Sequence, residues 1–550
     1  MTAPDTDVAI IGGGLAGLTL ALQLRRRNPD LRITVIERHR HPVREGAFKV
    51  GESTVEIGAH YLSHVLDLRA HLDEQHIRKF GFRFFFSDGA TRIDRTTELG
   101  VSAPLPAPSW QVDRGRLENH LTERVRAEGV DLLDGAVVRG IDMGEGGDAH
   151  RLRFELDGEA REVGARWLVD ASGRAGMLKR KLGLAASNTH NANAAWWRVE
   201  GHLDPNDWSD DAAWLARCTP PDRWRSTNHM CGEGYWFWLI PLSSNQHSLG
   251  IVCDAALHPL ESMNTHAKAM DWLRRHQPRV AQALDSGEHA LQDFLFLRHF
   301  SHSATQVFSG DGRWALTGEA GVFLDPFYSP GSDFIALANT YICELVEADG
   351  RGQPVGGAAT LYQQLYMSFY ENTLSLYQDQ YRLFGDSQVM PLKVIWDYTF
   401  YWALLAPLYF AGYQARLPVL GALRAQFTAS GALNRAMQAL LRDWGARNAA
   451  GAASLQPLDG RLLDQAKIPW FHELNRQLDD AIDEPAFIAR TQRDIELMHL
   501  LAAEMLARAR VTHPGIDDHG LAALLGERRA PDAPLLDAVW YASTRVAQAA

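Results

Sequence analysis

Cysteine is scarce in this chain of 550 residues, which has only Cys218, Cys231, Cys253 and Cys343. Their scatter excludes a disulfide scaffold and a CxxC metal site, so no metal centre is expected. Positive charge is also short. Lys and Arg number 55 against 67 Asp and Glu, a formal charge of -12. Such a chain has no general basic field for nucleic acid. Long apolar runs are missing. The longest, from Tyr401 to Gly412, contains Pro407 and falls short of the roughly 20 residues a membrane span needs. It reads as a buried helix, with a weakly membrane-associating surface or a dimer seam as alternatives. The N-terminal apolar run has no basic region before it and ends in glycines, so it is a first strand and not a signal peptide. The expected location is the cytoplasm. There is no repeat period and no sustained heptad. What is present is a globular composition, 46% hydrophobic and 22% charged, with 16 tryptophans. The length allows two to four domains.

Residues 7–37 read as strand, glycine turn, helix and strand. Gly12, Gly14 and Gly17 fit GxGxxG between VAII and an amphipathic helix. The first glycine permits a tight turn, the second lets backbone approach a pyrophosphate, and the third allows close packing of the helix. Glu37 ends the second strand, where a carboxylate can hold a ribose hydroxyl. This is a dinucleotide-binding opening, and taken alone it does not separate FAD from NAD. Extended segments follow between about 190 and 300, including EGYWFWLIPL and HSLGIVCD. From Leu361 the spacing turns helical: Tyr362, Leu365, Tyr366, Phe369, Thr373, Leu376, Tyr377 and Tyr381 share one face,. That stripe is a core face or the wall of an elongated groove. An Ala- and Gly-rich break is expected at 446–460.

Four further segments occur in a fixed order: GESTV (51–55), WQVDRGRLENHL (110–121), LVDASGRAG (168–176) and WALTGEAGVFLDP (314–326). Together with the glycine turn they resemble the glutathione-reductase-type FAD fold of flavin monooxygenases. They are more similar still to the flavin-dependent halogenases, the so-called tryptophan halogenase family. The resemblance spans about residues 7 to 345. It implies an α/β fold: an FAD-binding Rossmann domain with an inserted mixed or antiparallel sheet domain and a mostly helical C-terminal region. The expected boundaries are 1–185 for the FAD-binding domain, 186–305 for the sheet-rich substrate domain, 306–350 for a return to the first, and 351–550 for the helices. The flavin contacts it implies are Gly12, Gly14, Gly17, Glu37, Arg38, Gly51, Glu52, Ser53, Arg114, Asp170, Gly318, Glu319, Pro326, Gly331 and Ser332. Glu319 departs from the family's Gly-Asp pair. No second GxGxxG is visible, which fits FAD supplied as FADH2 by a separate flavin reductase.

Three signatures bear on the reaction. Trp236-Phe237-Trp238-Leu239-Ile240-Pro241 matches the family's WxWxIP pattern, and strand alternation puts both indoles on one side. In the family this wall keeps substrate from the flavin; two core tryptophans are the plain structural alternative. Lys79, two residues before Gly81, resembles the lysine of the phenol- and pyrrole-directed branch, which directs hypohalous acid at an aromatic ring; a solvated surface lysine is its alternative. Phe323 to Gly331 resembles the family's Fx(x)PxxSxG element, with Ser329 and Gly331 in register. Tyr328 stands where tryptophan-directed members carry glutamate. Pro330 has no N–H at a place where the family's backbone meets chloride. The resemblance thus implies halogenation of an electron-rich aromatic, through a C4a-hydroperoxyflavin and hypohalous acid, with halide ion as a second cofactor. The catalytic residues would be Lys79, Trp236, Trp238 and Ser329. An FAD-dependent aromatic hydroxylase is the alternative that Pro330 keeps open. The substrate is free or tethered to an acyl carrier protein, for which Lys179-Arg180-Lys181 or Arg25-Arg26-Arg27 are candidate docks.

Overall fold

The computed structural model describes residues 4–46, 49–145, 147–451 and 460–536. Two compact units divide the chain. The first takes residues up to Ile77, Val112–Thr189 and Phe300–Glu371; the second takes Arg78–Gln111, His190–His299 and the chain from Asn372. The expected α/β class with its Rossmann, sheet and helical parts is present. The units do not follow the expected boundaries: residues 78–111 group with the second unit, and 351–371 with the first.

In the first unit the strand Thr6–Ile11 lies between Ile33–Glu37 and Glu159–Asp170, parallel to both. Asp131–Asp134 and Trp314–Leu316 extend the sheet in parallel on either side. From Val8 onward the opening strand is apolar, as suits a doubly covered parallel strand: Val8, Ala9 and Ile10 are wholly buried. The helix Leu15–Arg27 returns the chain, and its last turn carries Arg25, Arg26 and Arg27. Arg25 is half-buried and Arg26 and Arg27 are exposed, each engaged by partners within the chain. Arg25 donates to the Glu128 carbonyl, and Arg27 pairs with Glu344. A buried polar knot fixes Leu15–Arg27 against the helix Gly331–Gly350. Asn339 Nδ2 donates to Thr19 Oγ1 (3.1 Å) and Tyr61 Oη (3.0 Å), and Thr317 Oγ1 donates to Asn339 Oδ1 (2.7 Å). The helix Gly356–Leu374 carries the start of the aromatic stripe. Tyr362 stacks on Tyr341 and Phe369 packs on Phe334, so this part of the stripe is core.

The second unit is built on an eight-stranded sheet. Its order is Leu291–Leu297, Ala192–Glu200, Gln246–Asp254, Tyr235–Leu242, Thr227–Gly232, Phe82–Phe86, Thr97–Gly100, Leu462–Asp464. One face buries Trp197, Phe237, Leu239 and Ile251 against the helix His266–His276. Long helices Val389–Phe400, Leu417–Ala450 and Glu484–Thr512 complete the unit. The run from Tyr401 is a buried π turn and a short helix, Ala406–Phe410. Among the described residues no helix is long and apolar enough to cross a membrane. The helix Leu417–Ala450 runs through the first five residues of the expected break at 446–460; residues 452–459 lie outside the described residues.

Candidate active site

The residues expected to hold the flavin gather in the first unit. Gly12 sits at φ +107 against the Ala171 backbone, and a Cβ on Gly17 would overlap the Gly12 carbonyl. Both need glycine, for conformation and for space. Gly14 precedes the helix with open space around it and no side-chain cap. The helix N–H groups are thus left to a phosphate. The Glu37 carboxylate accepts from Gly13 N–H (2.6 Å) and His39 N–H (2.7 Å), so it also shapes the turn. Arg38 lies at the surface and bonds His39. Asp170 holds the crossing loop, accepting from Ser172 N–H and Leu178 N–H (2.9 and 2.7 Å).

Arg114 opens the helix Arg114–Ala127. Its guanidinium donates to the Val50 carbonyl and to Glu118, 2.7 Å each. Glu118 also meets Lys49. Gly51 leaves room for the Arg114 guanidinium, while Glu52 and Ser53 are buried beside it in sequence, and the Glu52 carbonyl accepts from Val112 N–H. Gly318 packs on Ala16 of the first helix. Glu319 reaches Arg174 at 3.5 Å. Burial pushes the Glu319 carboxyl above its ordinary value, with Arg174, Arg114 and Lys179 pulling the other way. Lys179 donates to the Gly321 carbonyl (3.0 Å), so the Lys179 run is at least partly structural. These groups fit a dinucleotide: an uncapped helix start, a shaped carboxylate turn and converging cations.

Pro326 and Ser329 form the turn into the next helix, Ser329 N–H donating to the Pro326 carbonyl (2.9 Å). Ser329 is left-handed at φ +53, and Pro330 is the N-cap of Gly331–Gly350. Asp333 and Phe334 N–H turn back to the Pro330 carbonyl (3.0 and 3.1 Å), which leaves Gly331 and Ser332 leading the helix. Ser332 Oγ is buried with no hydrogen-bond partner. The hydroxyl packs against Gly58, where a Cβ would collide with it.

Lys79, Trp236 and Trp238 belong to the second unit. Lys79 is buried, and its Nζ lies 3.3 Å from the centroid of the Phe82 ring. The surface-lysine alternative is therefore excluded. Gly81 takes φ +71 between Lys79 and the strand Phe82–Phe86, a conformation costly for other residues,. Strand register sets His229 beside Phe84 and Trp238. His229 stacks on Phe84 (4.8 Å between centroids), and Trp236 lies 5.6 Å from Trp238. Phe82, Phe84, His229, Trp236 and Trp238 thus make one aromatic face. Trp236 Nε1 donates to Tyr381 Oη (3.1 Å) and Trp238 Nε1 to Ser248 Oγ (3.2 Å).

Gly250 is the cross-strand partner of Trp238, and a Cβ there would enter the indole ring. A glycine in mid-strand is the signal that could have found it. We expect Gly250→Ala to displace Trp238 and cost about 1–3 kcal/mol, the usual range for overpacking. Urea unfolding together with tryptophan emission would check this; native stability and spectrum in the variant would show that the sheet yields without cost.

Comparison with known proteins follows the same lines. The FAD binding domain family matches residues 5–278. Flavin-dependent halogenase chlA of Dictyostelium discoideum is 27% identical over 448 residues, covering 74% of this chain and 71% of that protein. A 1H-pyrrole-2-carbonyl-[peptidyl-carrier protein] brominase of Pseudoalteromonas luteoviolacea is 28% identical over 329 residues, 60% of this chain and 74% of that one. In fold, the chain is similar to the crystal structure of halogenase PltM with phloroglucinol and FAD. The TM-score is 0.62 at 16% identity, over 89% of this chain and 96% of that one. The fold and the flavin cradle define an FAD-dependent oxidoreductase. The chain carries an FAD binding domain over residues 5–278 and is similar to flavin-dependent halogenases over most of its length.

Proposed function

We propose that this protein halogenates an electron-rich aromatic ring, phenolic, pyrrolic or polyketide-like, and that Lys79 delivers the halogen. The observation that carries the reading is the buried Lys79 amine on the Phe82 ring, in the sheet whose aromatic face includes Trp236 and Trp238. FAD, supplied reduced by a separate reductase, provides the activated oxygen that oxidises halide when it is bound. Lys79 holds the resulting hypohalous acid by hydrogen bonding, or as a haloamine, and aims its halogen. The ring carbon gains the halogen and loses its proton, and the hydroxyl leaves as water. Trp236 and Trp238 are structural walls that exclude water and keep the ring in place. Tyr328 in place of a carboxylate supports a phenol- or pyrrole-type substrate, and the kinship with a carrier-linked pyrrole brominase supports a tethered one.

The test is product mass with chloride or bromide, a reduced-flavin supply, and phloroglucinol or a pyrrole-2-carboxyl compound as probe. A gain of one halogen is expected. Addition of one oxygen independent of halide would transfer the assignment to a hydroxylase, the alternative that Pro330 keeps open. Pro330 withholds one backbone donor, so halide should saturate only at high concentration, with bromide used better than chloride. Pro330→Thr restores an N–H and places a good N-cap. Chloride use should rise several-fold in that variant; tight chloride saturation in the unmodified protein would show that the anion is held by other donors.

A further inference from the structure

We propose that His76 is a positioning residue for the flavin site. It holds the turn of Arg114 through a chain of neutral histidines, so that flavin affinity falls on acidification. The inference rests on Arg114 being a flavin ligand.

The backbone N–H of Asp113 donates to His76 Nδ1 at 3.2 Å. That nitrogen is therefore an acceptor and carries no proton. A neutral imidazole has one N–H, so it sits on Nε2. His76 Nε2 lies 3.3 Å from His71 Nε2 and donates to it. His71 in turn carries its proton on Nδ1. The hydrogen bonds thus fix one tautomer on each ring. His71 stacks on His120 at 3.8 Å, with the rings 8° from parallel.

The inner end of the chain is the start of the arginine helix. Asp113 is its N-cap: Oδ1 accepts from Gly115 N–H (3.0 Å), Arg116 N–H (3.2 Å) and Gly46 N–H (3.1 Å). Arg114 is the next residue, and its guanidinium bonds the Val50 carbonyl in front of Gly51-Glu52-Ser53. The bond from Asp113 N–H to His76 therefore fixes the turn from which Arg114 projects. A second proton on His76 has only Nδ1 to go to. There it would point at the Asp113 N–H, donor against donor, and the bond must break.

The charged groups around the chain are settled by the packing. A cavity of about 540 Å³ is lined by His71, His120, Arg116, Arg124, Glu74 and Glu123, with Asp67 also at its wall. It reaches the outer two rings. Burial, then His71, hold His76 down to about 3, with Arg116 and His120 adding to this and only the Asp113 carboxylate opposing it. Burial, His120, Arg116 and Arg124 hold His71 to about 4. Burial and Arg124 lower His120, against Glu123. The sign follows. Below the ordinary histidine value of 6.5, a loosened form takes up protons that the ordered form refuses, so acid favours the loosened form. Affinity is intact above 6.5 and declines as pH falls toward 4.

The experiment is FAD affinity by fluorescence quenching from pH 8 to pH 5 for the full chain and three variants. The unmodified protein should weaken about tenfold or more by pH 5. His76→Asn keeps an acceptor for the Asp113 N–H without a titrating ring. It should bind nearly normally at pH 8 and lose most of the acid decline. His76→Phe should bind weakly at both ends of the range. Arg114→Gln should weaken binding at every pH; if it does not, the assignment of Arg114 is wrong whatever His76 does. If Arg114→Gln weakens binding but His76→Asn declines with acid as the unmodified protein does, the His76 proposal is overturned. Should the His76 variants fail to fold, nitrogen-15 shifts of the unmodified protein decide: a proton on His76 Nδ1 at pH 8 overturns the chain, and a proton on Nε2 supports it.

Discussion

Lys79→Ala should lower halogenated product by about 100-fold or more, the scale on which a misplaced reacting group costs rate, while FAD binding and FADH2-dependent oxygen consumption stay within about twofold. The reason is a division of labour along the chain. The glycine turn, Glu37, Arg114 and Asp170 lie in the first unit, whereas Lys79 lies in the second. Removing the amine takes away the aim and leaves the oxidant. The variant should also fold. Lys79 touches the face of Phe82, and truncation removes a buried amine along with its stem. Lys79→Arg should not rescue, because a guanidinium is a planar fork that cannot serve as a nucleophilic amine at neutral pH. The measurement is product yield beside oxygen uptake and thermal unfolding. Undiminished product would remove the lysine from the reaction, and lost oxygen uptake would show that it serves the flavin instead.

Much of the first unit was legible in the sequence because its constraints are local. Gly12 and Gly17 are fixed by backbone contacts within a few residues or across one strand pair, so the motif reports them directly. The aromatic alternation of Tyr235–Leu242 was legible for the same reason: period two follows from the pleat. What it did not reveal was the partner. Gly250 makes room for Trp238 across a register that only the fold supplies. Residues 78–111 were harder. They sit between two flavin-binding motifs in sequence, yet Phe82–Phe86 pairs in parallel with Thr227–Gly232, some 140 positions on. Nothing in FRFFF announces its neighbour. The strand Leu462–Asp464 was hidden likewise in a stretch of helical character, and it pairs with Thr97–Gly100. Charge was ambiguous in a different way. Arg25, Arg26 and Arg27 read as a possible dock; a helix C-terminus favours cations in any case, and partners within the chain engage Arg25 and Arg27 while Arg26 and Arg27 stay exposed. Ser332 was expected for its backbone; the buried, unpartnered hydroxyl depends on packing that no spacing encodes.

Glu98→Gln is expected to be the most damaging single change outside the site, costing about 3–5 kcal/mol, as breaking one partner of a buried ion pair does. Glu98 is wholly buried in the strand Thr97–Gly100, between two arginines that are themselves wholly buried, Arg83 and Arg223. Arg83 contacts the carboxylate directly, and Arg223 Nε donates to it at 2.9 Å. Arg83 also donates to the Val101 carbonyl (2.6 Å), and Arg223 to the Trp214 carbonyl (2.9 Å). Those bonds position the guanidinium groups without neutralising them. An amide at 98 leaves two buried positive charges beside the strand Thr97–Gly100, with no carboxylate to offset them. Burial opposes the ionisation of Glu98, but Arg83 and Arg223 together hold its carboxyl below the ordinary 4.5. A depressed carboxyl contributes its stability above the ordinary value and loses it as pH falls through the folded one. The unmodified protein should therefore lose this contribution only in acid, whereas Glu98→Gln should lack it at every pH. Replacing Glu98, Arg83 and Arg223 together by apolar residues of similar volume should recover most of the loss, since the burden is the uncompensated charge and not the missing bond. Urea unfolding of the single and triple variants at pH 8 separates the two. A single variant as stable as the unmodified protein would show that water reaches the arginines, and a triple variant no better than the single would show that the cluster's hydrogen bonds, rather than its charge balance, hold these strands together.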